Sequence, residues 1–194
     1  MKTKIIFIVL ISMLSASLLM AQNAGKANTS FAILGGVNLQ NLNMKNYYGD
    51  KITNDMIIGY HLGVNAQIPI VPQFYFQPGL LFSTKGAKYS DGSTAKLSYI
   101  ELPLNAVYKA LVGNGYFMLG FGPYVGYAIS TSGGDFKAFD AGGNIFAGYE
   151  LAGGLFFQLN TQLGMLNIYD GSDISEDKSS VKNTGFGLSL GYRF

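Results

Sequence analysis

The sequence predicts an all-β fold, an eight-stranded antiparallel up-and-down transmembrane β-barrel preceded by a cleaved signal peptide. Three observations carry that expectation. The chain opens on an export signal, alternates like a strand from about residue 30 to its last residue, and joins its strands by connections that are short and long in turn.

Residues 1–21 read as the export signal. Lys2 and Lys4 give the positive start, Ile5 to Ile11 the apolar run, and Ser15, Ala16, Ser17 and Ala21 the small residues ahead of a cut before Gln22. Ser12, Ser15 and Ser17 interrupt the apolar stretch, which is short for a span of about 20 residues. Residues 22–29 form a short leader, and residues 30–194 the barrel domain. The chain has no cysteine, which excludes lipoprotein processing, disulfides and thiolate metal sites. Without Lys2 and Lys4, the thirteen basic residues fall to eleven against eleven acidic ones. Zero net charge gives no electrostatic footprint for nucleic acid. No stretch after the signal is apolar for the length of a helical span, so insertion in a membrane has to use strands.

Eight strands are expected. The first, residues 30–40, sets Phe31, Ile33, Val37 and Leu39 against Asn38 and Gln40. The second, 58–68, sets Tyr60, Leu62, Val64 and Ile68 against His61, Asn65 and Gln67. The third, 74–85, opposes Phe74, Phe76, Leu80 and Phe82 to Gln77, Ser83 and Lys85; the fourth, 97–109, opposes Ile100, Leu102, Leu104 and Tyr108 to Glu101 and Asn105. In the fifth, 116–130, Phe117, Leu119, Phe121, Val125, Tyr127 and Ile129 share one face, and the other is mostly small. The sixth, 140–151, and the seventh, 156–166, repeat the pattern. The eighth is the tail, with Phe186, Leu188, Leu190, Tyr192 and Phe194 on one parity and Gly187, Ser189, Gly191 and Arg193 on the other.

Connections 41–57, 86–96, 131–139 and 167–183 are long and polar, whereas 69–73, 111–115 and 152–155 are short. Such sorting is expected of an outer-membrane barrel, whose ends both face the periplasm when the strand count is even. Charge agrees with it. Lys85, Glu101, Lys109, Glu150 and Arg193 all fall on the polar parity, and Asp140 falls at a strand rim. A Lys or Arg on the lipid face would cost about 2–4 kcal/mol at the midplane. A soluble eight-stranded barrel would need the opposite arrangement, oily inside and polar outside. Pro78, Pro103 and Pro123 lie within strands, where a closed barrel has no free edge, so each should mark a bulge or a bend.

With strands in place, FQPGLLFSTKGAKY, YIELPLNAVYK, GFGPYVGY, FDAGGNIFAGYEL and the terminal GYRF resemble the PorT-like family of small outer-membrane β-barrels of Gram-negative bacteria, in order and over most of the chain. The resemblance implies tolerance of the prolines in the QP, LP and GPY pieces. Similar sequences often carry an acid after the QP pair, where this chain has Gly79, so no lumen salt bridge is implied there.

Sites of reaction chemistry are few. His61 is the sole histidine, and an inward histidine without a readable nucleophile motif is expected to be a packed polar residue, so no enzyme is expected; an outer-membrane enzyme using His61 is the least favoured reading. No cofactor or metal is expected: the glycine-rich runs near Gly120 and Gly185 lack the dinucleotide fingerprint and make room in a narrow barrel, and residues 170–177 lack calcium-loop spacing. Lys85, Glu101, Glu150 and Arg193 sum to zero charge and are expected to form a paired structural network in the lumen. The expected function is a structural or interaction role in the bacterial outer membrane, with loops 41–57 and 167–183 as contact surface for an envelope protein partner. The alternative, from the resemblance, is an accessory part of an envelope secretion or assembly system. Expected partners are outer-membrane lipid and, through the tail Phe186, Leu188, Leu190, Tyr192 and Phe194, the outer-membrane assembly machinery. Deleting Phe194 should therefore lower the amount of heat-modifiable protein in the membrane; unchanged membrane levels and gel shift would contradict that reading of the tail.

Overall fold

The computed structural model describes residues 28–171 and 178–194. The expected signal peptide, most of the leader and residues 172–177 of the expected acidic loop lie outside the described residues.

Nine strands form one sheet: β1 (Ser30–Lys45), β2 (Lys51–Ile52), β3 (Ile57–Val71), β4 (Phe74–Lys88), β5 (Thr94–Val112), β6 (Gly115–Ser132), β7 (Phe139–Leu151), β8 (Leu155–Gly164) and β9 (Ser180–Arg193). Every neighbouring pair is antiparallel, and β9 pairs back onto β1 from Ala32↔Arg193 to Lys45↔Ser180. Eight strands therefore close a barrel without an edge, and two-residue β2 is a tab on the end of β1. Closure matters because hydrocarbon offers no partner to a free backbone N–H or C=O.

The faces are inverted relative to a water-soluble protein. Outward residues are apolar and exposed, as at Phe121 (63%) and Leu188 (51%), whereas Lys85 (1%), Asp140 (0%) and Glu101 (2%) are sealed inside. On β1 the oily face runs from Phe31 to Leu39. Eight steps of about 3.3 Å, tilted about 40°, rise roughly 20 Å, close to the apolar band of an outer-membrane barrel.

The start of β1 and the end of β9 share a rim with three tight turns. Pro72 and Gln73 join β3 to β4, and Gln73 has φ 70°, as required after Pro in a turn with a left-handed second position. Gly113, at φ 60°, opens the two-residue turn from β5 to β6. This rim faces the periplasm, and the other faces outward.

Two expectations differ from the structure. The external connections are shorter than expected: β1 continues to Lys45, and β4 and β5 run to Lys88 and from Thr94, leaving only residues 89–93 between them. Above the hydrocarbon the outward face meets water, so the wall continues there with polar residues such as Asn43, Lys45, Lys88 and Lys96 on its outward parity. Of the bulge or bend expected at Pro78, Pro103 and Pro123, no bulge occurs. The ladder lapses beside Pro78 between Asn65↔Gly79 and Ile68↔Phe76, and beside Pro103 and Pro123 between Pro103↔Tyr124 and Ala106↔Phe121. Register is unchanged across both lapses. The shifts that do occur fall at Pro69/Val71 and Ser98/Tyr99.

Candidate functional site

The lumen is built in layers, because inward positions recur every second residue and neighbouring strands bring equivalent positions to one level. At the external mouth Leu42, Ala87, Ala95, Leu97, Tyr99, Ala128, Ile168 and Val181 form an apolar cluster. Ile168 arrives from the connection after β8 and is fully buried. Its N–H donates to the Val181 carbonyl at 2.9 Å, and its own carbonyl accepts from the Lys137 N–H at 2.8 Å. Part of the expected exposed loop 167–183 is thus a stopper.

Below it lies the first charged cluster. Lys85 Nζ is 2.5 Å from Glu101 Oε1 and 3.7 Å from Asp140 Oδ2. Gln162 Nε2 donates to Glu101 Oε2 at 3.0 Å; the Tyr124 hydroxyl and Asn183 Nδ2 donate to Asp140 Oδ2 at 3.1 and 2.8 Å. The ammonium also sits 4.5 Å from the Tyr124 ring centre and 5.2 Å from that of Tyr99, so ring faces and oxygens together replace its water.

The middle of the barrel is a polar chamber of about 50 Å³, lined by His61, Asn65, Gln77, Gly79, Asn105 and Gln158 among others. That volume holds only a few molecules the size of water. His61 Nε2 lies 2.7 Å from Ser189 Oγ, and Asn38 Nδ2 donates to Ser83 Oγ at 3.3 Å. A base beside a hydroxyl is the first element of an activated nucleophile. Here both members are buried, and Glu101, Asp140 and Glu150 all hold other partners.

Toward the periplasm, Ala32, Leu34, Val107, Met118, Phe146 and Phe156 form a second apolar layer. It closes because Phe146 lies over Gly120 and Phe156 over Gly191, where a Cβ would collide with the rings. Beyond it, at the periplasmic mouth, is the second charged cluster. Glu150 Oε1 meets Lys109 Nζ at 2.7 Å and Glu150 Oε2 meets Arg193 Nε at 2.9 Å. Lys109 also donates to Gln67 Oε1 at 3.2 Å, and Arg193 Nη1 to Asn65 Oδ1 at 3.2 Å.

The four residues expected as one network are therefore divided: Lys85 with Glu101, and Glu150 with Arg193. Asp140 and Lys109 complete the clusters, giving the outer one a net charge of −1 and the inner one +1. Asp140, expected at a rim, is the second residue of β7 and fully enclosed. No group of three or more His, Asp or Glu able to hold a metal occurs among the described residues. Outside the wall, Asp91 in the turn after β4 accepts from Ser93 Oγ at 2.6 Å and Ser93 N at 2.8 Å, which holds its carboxyl below the usual carboxylate value.

A wall with oil outside, charge inside, and the start of its first strand and end of its last on the short-turn rim is the geometry of small outer-membrane barrels. Residues 7–194 match the outer membrane protein beta-barrel domain family. The chain belongs to that family. It is accordingly a small β-barrel protein of the bacterial outer membrane. No curated protein matches its sequence. Among solved structures, this outer-membrane barrel is similar to the outer membrane protein OprG from Pseudomonas aeruginosa, with TM-score 0.50 and 15% identity over 85% of this chain and 95% of that one. It is also similar to Ail, the attachment invasion locus protein of Yersinia pestis, solved in complex with the heparin analogue sucrose octasulfate, with TM-score 0.42 and 15% identity over 87% of this chain and 100% of that one.

The two clusters differ in what a single neutralisation leaves behind. Glu150→Gln strands two buried cations and should cost about 3–5 kcal/mol. Asp140→Asn removes the more distant of two acids on Lys85 while keeping a carbonyl acceptor, and should cost less than about 2 kcal/mol. Urea unfolding of both variants in phospholipid bilayers, followed by the heat-modifiable gel shift, checks the order; equal loss at the two positions would contradict it.

Proposed function

We propose that this outer-membrane barrel is a non-conducting scaffold with a structural or interaction role, acting through its external rim. The observation that carries this reading is the filled lumen, in which an apolar layer lies on each side of the small polar chamber and buried ion pairs occupy the levels beside them. An eight-stranded barrel has an interior just wide enough for side chains. Here the supply of rings, amides and ions uses that width up. The His61–Ser189 pair is read as part of this packing, since both side chains are buried in the lumen.

A finer reading, as a PorT-like accessory component of envelope secretion or assembly, rests on the sequence pieces quoted above. Under it a deletion strain loses protein export, whereas under the first reading export continues. Contacts with an envelope partner would be made by the exposed turn around Tyr48 and by the connection before β9.

The test of the sealed lumen is electrical. Purified barrel reconstituted in a planar bilayer should leave the conductance at that of the bare membrane. Stable unitary steps that depend on the protein would overturn the scaffold reading.

A further inference from the structure

Among the described residues, strand charges are sorted by face. Glu101, Asp140 and Glu150, the acids carried by strands, all point into the lumen. The strand charges that point outward are Lys45, Lys51, Lys88, Lys96 and Lys182, and all five stand at the external end. The periplasmic end carries no outward strand charge.

We propose that the corner formed by β9, β1 and β2 binds a phosphorylated glycolipid of the outer leaflet. Register puts Lys45 directly across from Lys51, and Asn43 across from Lys182 one row below, so Lys182 lies diagonal to Lys45 on the same outer face. Like charges directly opposed destabilise a sheet unless something outside it compensates. The four ion pairs of the described residues all lie in the lumen, and none reaches these lysines.

Height identifies the kind of anion. The oily face of β9 ends at Phe186, and Lys182 lies four residues beyond it. At about 3.3 Å per residue and about 40° tilt, that is roughly 10 Å along the membrane normal. A lysine stem reaches back from there into the headgroup layer, where phosphates sit. Lys45 lies two residues higher, above the reach of a simple phospholipid and level with sugars attached to a headgroup. In the turn between Lys45 and Lys51, Tyr47 and Tyr48 meet edge to face with ring centres 5.4 Å apart, and Tyr48 is 78% exposed. Exposed rings with an apolar face and a hydroxyl suit the C–H face of a sugar. Cations over a phosphate with tyrosines beside them match a phosphorylated saccharide on an acyl anchor. The site does not depend on a closed lumen, since a conducting barrel could carry it equally.

The experiment titrates the folded barrel in detergent with four probes: diphosphoryl lipid A, the same lipid stripped of both phosphates, phosphatidylglycerol and inorganic phosphate. Bound copies are read by native mass spectrometry. Wild type should retain diphosphoryl lipid A above the other lipids, and millimolar inorganic phosphate should fail to displace it. Each of Lys45→Gln, Lys51→Gln and Lys182→Gln should weaken retention about fivefold at low salt, and the triple variant roughly a hundredfold. Lys137→Gln, in the connection between β6 and β7, should change nothing. The heat-modifiable gel shift verifies that each variant is folded. Equal retention of the dephosphorylated lipid or of phosphatidylglycerol, displacement by inorganic phosphate, or full retention by the folded triple variant would overturn the proposal. So would a wild type without preference.

Discussion

A closed sheet in hydrocarbon has two faces, and only the inner one can hold a charge at membrane depth. That constraint organises the rest of the molecule. Closure of β9 onto β1 satisfies the backbone, and the outward parity is left to Phe, Leu, Ile, Val and Tyr. Every other feature follows from fitting the inward residues into a cylinder too narrow for water to solvate them. Lys85 is held by Glu101, Asp140 and two tyrosine rings because bulk water cannot reach it. Glu150 serves Lys109 and Arg193 together for the same reason.

The lumen clusters are neutral only as a pair. The outer one has an acid in excess and the inner one a base, and a neutral polar chamber lies between them. Buried ion pairs return little net stability, but they make alternative pairings costly. A slip of one residue along β7 would put Asp140 and Glu150 on the lipid face, where their partners could not follow. The ion pairs therefore bear on register more than on stability. The glycines across from Phe146 and Phe156 act in the same direction, since a Cβ at either would collide with the ring it faces.

Much of this was legible in the residue order. Period-two alternation, with the charges inside the expected strands on one parity, gives strand faces, closure and location in the membrane, because few other environments want oil on the outside. The strand ends above the membrane were not legible: Asn41, Asn43 and Lys45 are polar on the outward face, so the alternation that marks β1 fades at Leu39 although pairing continues. Membership of the lumen clusters needs register as well as parity. Lys109 and Glu150 become neighbours across β6, which intervenes with Met118 and Gly148 opposite one another, and no local pattern announces that contact. Ile168 looked like a loop residue among Asn, Tyr and Asp, and its burial depends on a connection folding back over the mouth. Ser189 sits in the tail as one small inward residue among glycines, and only the closing strand pair brings it to His61.

The direction of the pleat is the claim on which all of this stands, and the cysteine-free chain makes it directly measurable. Single cysteines placed at each position from Phe186 to Arg193, spin-labelled in bilayers, report collision with lipid-soluble oxygen and with a water-soluble nickel chelate. The account expects high oxygen access at 186, 188, 190 and 192 and low access to either quencher at 187, 189, 191 and 193. Oxygen access without alternation, or with its maxima at the odd positions, would contradict it.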